Sequence, residues 1–343
     1  MTPWVPLPTV TAARLSIGLS HAVPTPQVGA PSRPATRAFW HNVVIALISF
    51  VTLVDLFAVQ AILPSLARAF RVTPAEMGFA VNASTIGMAV AGIAVALLSR
   101  RINRRIGICV SLALLSIPTF ALSLTHDLTV FAALRIAQGL CMSAAFTLTM
   151  AYLAEQGSSH DTGSALAAYI TGNVASNLFG RLMSGTVTDM LGLAPNFYLF
   201  AVLNLAGAAL VYYSLNRCSS AAPGASAGSS LGAWGAHFRN PALRSAFAIG
   251  FIILFAFIGV FTYVNFVLAK APIGLSPMAL GLVYLVFIPS ILTTPFAGRV
   301  VQHVGPRLAF WVSLGVAGVG LALLVLPSLI PVLIGLALVG AGT

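Results

Sequence analysis

Apolar residues run through this chain in ten long stretches, 43–66, 77–98, 107–125, 128–153, 164–187, 194–215, 245–268, 277–298, 308–326 and 328–343. Most have the roughly 17–25 residues that a helix needs to cross a bilayer. The connections between them are mostly short, which favours antiparallel neighbours. The exception is 217–242, where CSSAAPGASAGSSLGAWGAHFRNP (218–241) is rich in Ser, Ala and Gly and marks a flexible linker. The pattern predicts an all-α membrane protein. Its parts are a disordered tail (1–42), a six-helix N-terminal bundle (43–216), a linker (217–244) and a partial C-terminal bundle of four helices (245–343). The final apolar run, PVLIGLALVGAGT, stops at Thr343. A carboxylate there would be costly in lipid, so the sequence is expected to be cut short by two further helices.

Charge then sets direction. Of 17 Lys and Arg residues, twelve lie in the loops 1–42, 99–106, 155–162, 217–244 and 299–307, against Arg68, Arg71 and Lys270 in the alternate set. Basic loops stay cytoplasmic, so the N-terminus is expected inside. The net charge of +11 therefore follows from loop topology and implies no nucleic-acid partner. Charged residues are 7% of the chain and mean hydropathy is +0.99, both far from the values of soluble domains. Cys109, Cys141 and Cys218 have no metal-ligand spacing, and the six histidines are scattered. With no P-loop and no loop large enough for a catalytic domain, neither an enzyme nor a cofactor is indicated.

The two halves echo each other weakly. LLSRRINRRIG at 97–107 and FAGRVVQHVG at 296–305 each follow the second span of a half. Such internal repeats are a mark of secondary transporters. An ionisable residue inside a span costs roughly 3 kcal/mol or more at the bilayer centre, which makes Asp55, Arg135 and Arg181 candidates for function. At about 1.5 Å rise per residue, Asp55, Arg135, Gln138, Asn173 and Asn177 fall in one central layer. Arg181 falls nearer the outer edge. Each has a structural alternative. Backbone carbonyls would satisfy Arg135, Asp55 would merely neutralise an Arg, and Arg181 would snorkel or lock against Asp189 or Asp127. Asn173 and Asn177 would be interhelical glue. Gly172, Ser176, Gly180 and Ser184 form a small-residue stripe that reads as packing. Tyr263 and Asn265, near the outer end of the seventh span, are candidates for an outer gate or an interfacial anchor.

These residues together resemble the major facilitator superfamily, in particular its arabinose-efflux-like and multidrug-efflux branch. LRIAQGL at 134–140 is similar to the fourth-helix motif whose Arg is implicated in proton movement, which places that role on Arg135. DLFAVQAILP at 55–64 resembles the first-helix motif, with its acid at Asp55 and its Pro at Pro64. GNVASNLFGRLMSG at 172–185 resembles the fifth-helix segment, and AGRVVQHVG at 297–305 the second-half gating loop with Gly298 and Arg299. The first-half gating loop departs from the family pattern GxLSDRxGRR. Arg100 stands at the Asp and Asn103 at the Gly, while Arg101, Arg104 and Arg105 keep the basic cluster.

The resemblance implies a major-facilitator-type bundle in the inner membrane of a bacterium. It would act as a monomeric, proton-coupled exporter of a small organic molecule, working by alternating access. Asp55 and Arg135 would carry the coupling. Gln138, Asn173, Asn177 and Arg181 would meet substrate, and Asp189 would join the gating residues. Uptake with protons and a non-transporting fragment are the alternatives.

Overall fold

Proline and capping side chains decide where the helices start and stop. The protein is described here from a computed structural model covering residues 35–98, 102–155, 159–215, 239–288, 303–326 and 328–342. Helix α1 (Ala35–Ala61) ends just before Pro64, which takes an N-terminal position in α2 (Leu63–Phe70) because a proline has no N–H to offer a helix interior. Thr73 caps α3 (Pro74–Asn82): its hydroxyl accepts from the Glu76 N–H, while Glu76 accepts from the Thr73 N–H at 2.8 Å. After a one-residue break the chain resumes as α4 (Ser84–Leu98). Asn103 caps α5 (Arg104–Ala121), accepting from the Ile106 N–H at 3.2 Å. The departure from the family's loop glycine thus supplies a helix start. Asp127 caps α6 (Leu128–Ala154), and α7 (Ser159–Leu191) and α8 (Leu193–Ser214) are joined through Gly192 at φ 97°, a conformation open chiefly to glycine.

In the second half, Asn240 caps α9 (Pro241–Ala269) and Ser276 caps α10 (Pro277–Val283), which tightens into a 3₁₀ turn at Tyr284–Phe287. Helices α11 (Pro306–Leu323) and α12 (Leu329–Gly342) follow. Each predicted span holds at least part of one described helix, and the first two are each broken once. Residues 1–34 of the predicted tail, 217–238 of the predicted linker, Arg101, and the part of the eighth span beyond 288 with Gly298 and Arg299 lie outside the described residues. The last residues of both predicted loops, 35–42 and 241–244, are instead helical, as the starts of α1 and α9.

Among the described helices, six are long and apolar enough to cross a membrane: 39–61, 74–95, 104–121, 128–154, 193–214 and 241–269. Helix α7 has the length, but Asn173, Asn177 and Arg181 dilute its hydropathy. Large apolar side chains such as Phe79, Ile117, Val202 and Phe255 cover the outside, as expected of a surface facing lipid. The bundle has two ends, called here the Arg104 side and the Thr73 side. At the Arg104 side the core is Ile45, Ile48, Leu112, Met142, Leu148 and Val211. At the Thr73 side it is Val59, Leu63, Leu66, Met77, Phe131 and Phe197.

Helices α1 and α7 pack along the small-residue stripe. A Cβ at Gly172 would lie 2.0 Å from the Ala46 carbonyl oxygen, and one at Gly180 would lie 2.9 Å from Val54. The two halves meet at the Thr73 side. There Gly185 packs on Pro277, Gly281 on the Arg181 backbone, and Tyr263 covers Gly78. At the Arg104 side the first turns of α9, through Gly250, are almost wholly exposed.

Candidate functional site

A polar layer separates the two apolar cores of the first half. Asp55, Thr119, Arg135, Gln138 and Asn204 come from α1, α5, α6 and α8, and all are at most 2% exposed. Arg135 is fully buried and finds an acceptor for four of its five N–H groups. Nε donates to the Val81 carbonyl at 3.0 Å, Nη1 to the Asp55 carbonyl at 3.3 Å and to Gln138 Oε1 at 2.7 Å, and Nη2 to Ser84 Oγ at 3.2 Å. The Val81 carbonyl is reachable because α3 stops at Asn82 and α4 restarts at Ser84. Close approach of α4 and α6 brings these acceptors within range. A Cβ on Gly139 would lie 1.9 Å from the Ser84 carbonyl oxygen, and one on Gly87 would lie 2.0 Å from that of Ile136.

The Asp55 carboxylate has other partners. Oδ2 accepts from Asn204 Nδ2 at 2.6 Å and lies 3.2 Å from the Thr119 hydroxyl. That hydroxyl also lies 2.8 Å from the Leu115 carbonyl and accepts from Gln138 Nε2 at 2.6 Å. A chain of hydrogen bonds therefore runs Asp55–Thr119–Gln138–Arg135. Among the described residues no cation stands within ion-pair distance of Asp55.

A second cluster lies toward the Thr73 side, between the halves. Arg181 is fully buried, and its Nη2 donates to Gln60 Oε1 at 2.6 Å. Its guanidinium carbon sits 3.8 Å from the centre of the Tyr284 ring. Asn265 Nδ2 bridges the halves by donating to the Gln60 carbonyl at 2.9 Å, and it exchanges hydrogen bonds with the Tyr284 hydroxyl at 2.7 and 2.9 Å. Asn82 donates to Thr262 at 3.3 Å on the same face.

The structure sorts the sequence candidates. Asp55, Arg135 and Gln138 come together as expected. Asn173 and Asn177 are half-buried on α7 and make no side-chain hydrogen bond to that network; the Asn177 side-chain Oδ1 is left unpaired. Arg181 locks against neither Asp189, which is exposed, nor Asp127, which caps α6. Asn265 is buried in the interface rather than sited at an open rim, whereas Tyr263 is 45% exposed. Arg104 is committed within its own half, bonded to both oxygens of Glu155, at 2.7 Å from Nη2 to Oε1. Arg105 donates to the Tyr212 carbonyl and lies over the Tyr212 ring.

Sequence reasoning passed over Gln60, Thr119, Asn204 and Tyr284. Gln60 and Asn204 are amides inside apolar spans, so the rule that picked out Asn173 would have found them. Thr119 and Tyr284 blend with ordinary span composition and left no such trace.

Comparison with known proteins agrees with this architecture. The chain is 28% identical over 278 residues to the inner membrane transport protein YnfM of Escherichia coli (strain K12), which covers 80% of this chain and 67% of the relative. It is 27% identical over 257 residues to the MFS-type transporter YybF of Bacillus subtilis (strain 168), covering 75% of this chain and 64% of that one. Among solved structures, a bacterial homologue of the human lysosomal transporter Spinster, inward-facing and unoccupied, superposes with a TM-score of 0.72. It is 13% identical, over 90% of this chain and 75% of that chain, so the likeness speaks to fold. The D-xylose-proton symporter gives 0.58 at 18% identity, over 89% and 80%. The family model described as Major Facilitator Superfamily matches residues 45–343. With that match over most of its length, a buried polar layer and two helical halves that meet, this chain belongs to the major facilitator superfamily of membrane-embedded secondary transporters, a class of carriers and not of enzymes.

Proposed function

We propose that the protein couples proton movement to export of a small organic molecule across the cytoplasmic membrane, by rocking its halves about the polar layer. The observation that carries this reading is the setting of Asp55. Its carboxylate is buried, held by neutral partners, and joined to Arg135 only through Thr119 and Gln138. The network suits either protonation state. With Asp55 ionised, the Thr119 hydroxyl donates to it. With Asp55 protonated, the new O–H donates to Thr119, whose own hydrogen turns to the Leu115 carbonyl 2.8 Å away. A group that changes charge without stranding a buried donor is what a proton carrier in lipid requires.

Orientation rests on charge. Arg104, Arg105, Arg239, Arg244 and Arg307 mark the Arg104 side, and the more basic side faces the cytoplasm. The contacts at the Thr73 side then close the external face, and the exposed start of α9 corresponds to an opening toward the cytoplasm. Substrate would enter there and meet Gln138, Asn173, Asn177 and Arg181, the two asparagines supplying amides from α7.

The test uses everted vesicles holding an imposed pH gradient, read with an acridine dye. Addition of cationic, neutral and anionic probes in turn (ethidium, arabinose and benzoate) is expected to release protons for the one that is cargo with the wild-type chain, and Asp55→Asn to abolish that response. Unchanged proton release in Asp55→Asn would overturn the coupling. Net accumulation of labelled substrate by intact cells would reverse the direction to uptake.

A further inference from the structure

Among the described residues two arginines are wholly buried, and they are treated differently. Arg135 has four of its five N–H groups matched to acceptors. Arg181 has one acceptor, Gln60 Oε1, while its Nε and Nη1, which carry three N–H donors, have none. Among the described residues no carboxylate lies within ion-pair distance of it. A buried charged donor without an acceptor costs more than almost any other polar defect. The planar guanidinium matches a carboxylate or another oxyanion with paired N–H groups.

Its surroundings add shape. The Tyr284 ring lies at 3.8 Å, with Phe57 and Phe261 at 5.5 and 5.9 Å. These rings hold the guanidinium by cation–π attraction and offer an apolar wall. Gln60 and Arg181 belong to the first half, and Tyr284, Phe261 and Asn265 to the second. Parting of the halves at the Thr73 side therefore opens this cluster. A cationic cargo would be repelled by an uncompensated guanidinium, and a neutral one would leave its charge unmatched.

We infer that Arg181 reads an organic anion: the cargo bears a carboxylate that takes the free Nε and Nη1 donors, and an apolar body that lies against Tyr284, Phe57 and Phe261. This rests on the reading of Arg181 as part of the substrate site. It requires neither the proton coupling nor the direction proposed above.

The experiment measures thermal stabilisation of the full chain in phosphatidylcholine nanodiscs by benzoate and hexanoate, against benzyl alcohol and benzylamine. The carboxylates are expected to stabilise saturably and the neutral and cationic analogues not. Arg181→Gln is expected to weaken carboxylate binding at least tenfold, and Arg181→Lys to an intermediate degree. Should Arg181→Gln fail to fold, Tyr284→Leu is expected to weaken benzoate several-fold while keeping its preference over benzyl alcohol.

Equal stabilisation by benzoate, benzyl alcohol and benzylamine would overturn the inference. So would undiminished benzoate binding by Arg181→Gln, or by Tyr284→Leu where that variant replaces it. Loss of the benzoate response on adding phosphatidylglycerol to the discs would reassign the site to a lipid headgroup and overturn it too. Failure of the Asp55→Asn vesicle test with Arg181-dependent benzoate binding intact would remove proton coupling and leave this inference standing; the reverse pair of results would do the opposite.

Discussion

Arg135 hydrogen-bonds the backbone carbonyl of Asp55 at 3.3 Å and leaves the Asp55 carboxylate to Asn204, at 2.6 Å. The acid and the base of the polar layer thus share a network without forming an ion pair. The Arg is held by α3, α4 and α1 at once, through Val81, Ser84 and Asp55, so its removal cuts hydrogen bonds to three helices. Lysine carries a point charge and cannot span that arrangement. Arg135→Lys is expected to destabilise the first half by about 2 kcal/mol or more, from the loss of buried hydrogen bonds made by a charged donor. Denaturation in mild detergent measures it. Wild-type stability in Arg135→Lys would show that the fan of hydrogen bonds contributes little.

The crossing of α4 and α6 sets where Arg135 sits. A methyl group on Gly139 would fall inside the Ser84 carbonyl, so Gly139→Ala must push the helices apart. The expected loss is about 1–3 kcal/mol, as for overpacking generally. Gly163 in α7 is the matched control, with nothing within 4 Å of its added Cβ. Gly163→Ala is expected to raise stability by about 0.5–1 kcal/mol through helix propensity. Thermal unfolding of the two variants side by side gives opposite signs if backbone contact governs the crossing, and like signs if it does not.

Much of this architecture was legible in the sequence, for reasons tied to lipid. A span must be apolar over about 20 residues, so the helices announce themselves, and a buried charge such as Asp55 or Arg135 stands out against them. Rotation about the helix axis is harder to read. Asn173 and Asp55 fall at similar depth, yet depth alone does not say which faces meet, and Asn204, not Asn173, reaches the carboxylate. One of the two helix breaks was also invisible. The interruption at Ala83 follows no proline or glycine, although it lets the Val81 carbonyl reach Arg135. Tyr284 was passed over because an aromatic in a span is ordinary, and its role appears only once α10 is set against Arg181.

The bond between Arg104 and Glu155 ties the start of α5 to the end of α6 at the Arg104 side. Their side chains are 7% and 31% exposed, so solvent screens the pair only in part. A double-mutant cycle with Arg104→Ala and Glu155→Ala is expected to give a coupling of about 1–2 kcal/mol, at the low end for hydrogen bonds to charged groups because solvent screens part of it. The same variants test the gating role read from the basic loop. A pair that only fastens one half changes stability and leaves transport per folded molecule intact. A pair that works the gate changes transport at unchanged stability.

Asp127 gives a pH-dependent contribution whose sign follows from its geometry. It lies just outside α6, and its Oδ1 accepts from the N–H groups of Thr129 and Val130 at 2.8 and 3.0 Å. The hydrogen bonds from Val130 and then Thr129 hold its carboxyl below the usual carboxylate range, because they favour the charged form. A carboxyl with a depressed pKa in the folded state stabilises the fold fully above its unfolded value, about 3.9. That contribution is lost as pH falls through the folded value. Asp127→Asn keeps an amide oxygen as helix cap but has no charge to titrate. The difference in melting temperature between wild type and Asp127→Asn is therefore expected to be steady from pH 6 to 8 and to shrink below about pH 4. Melting curves across that range check it, and a difference that grows on acidification would show that the carboxylate is not stabilised by the α6 N-terminus.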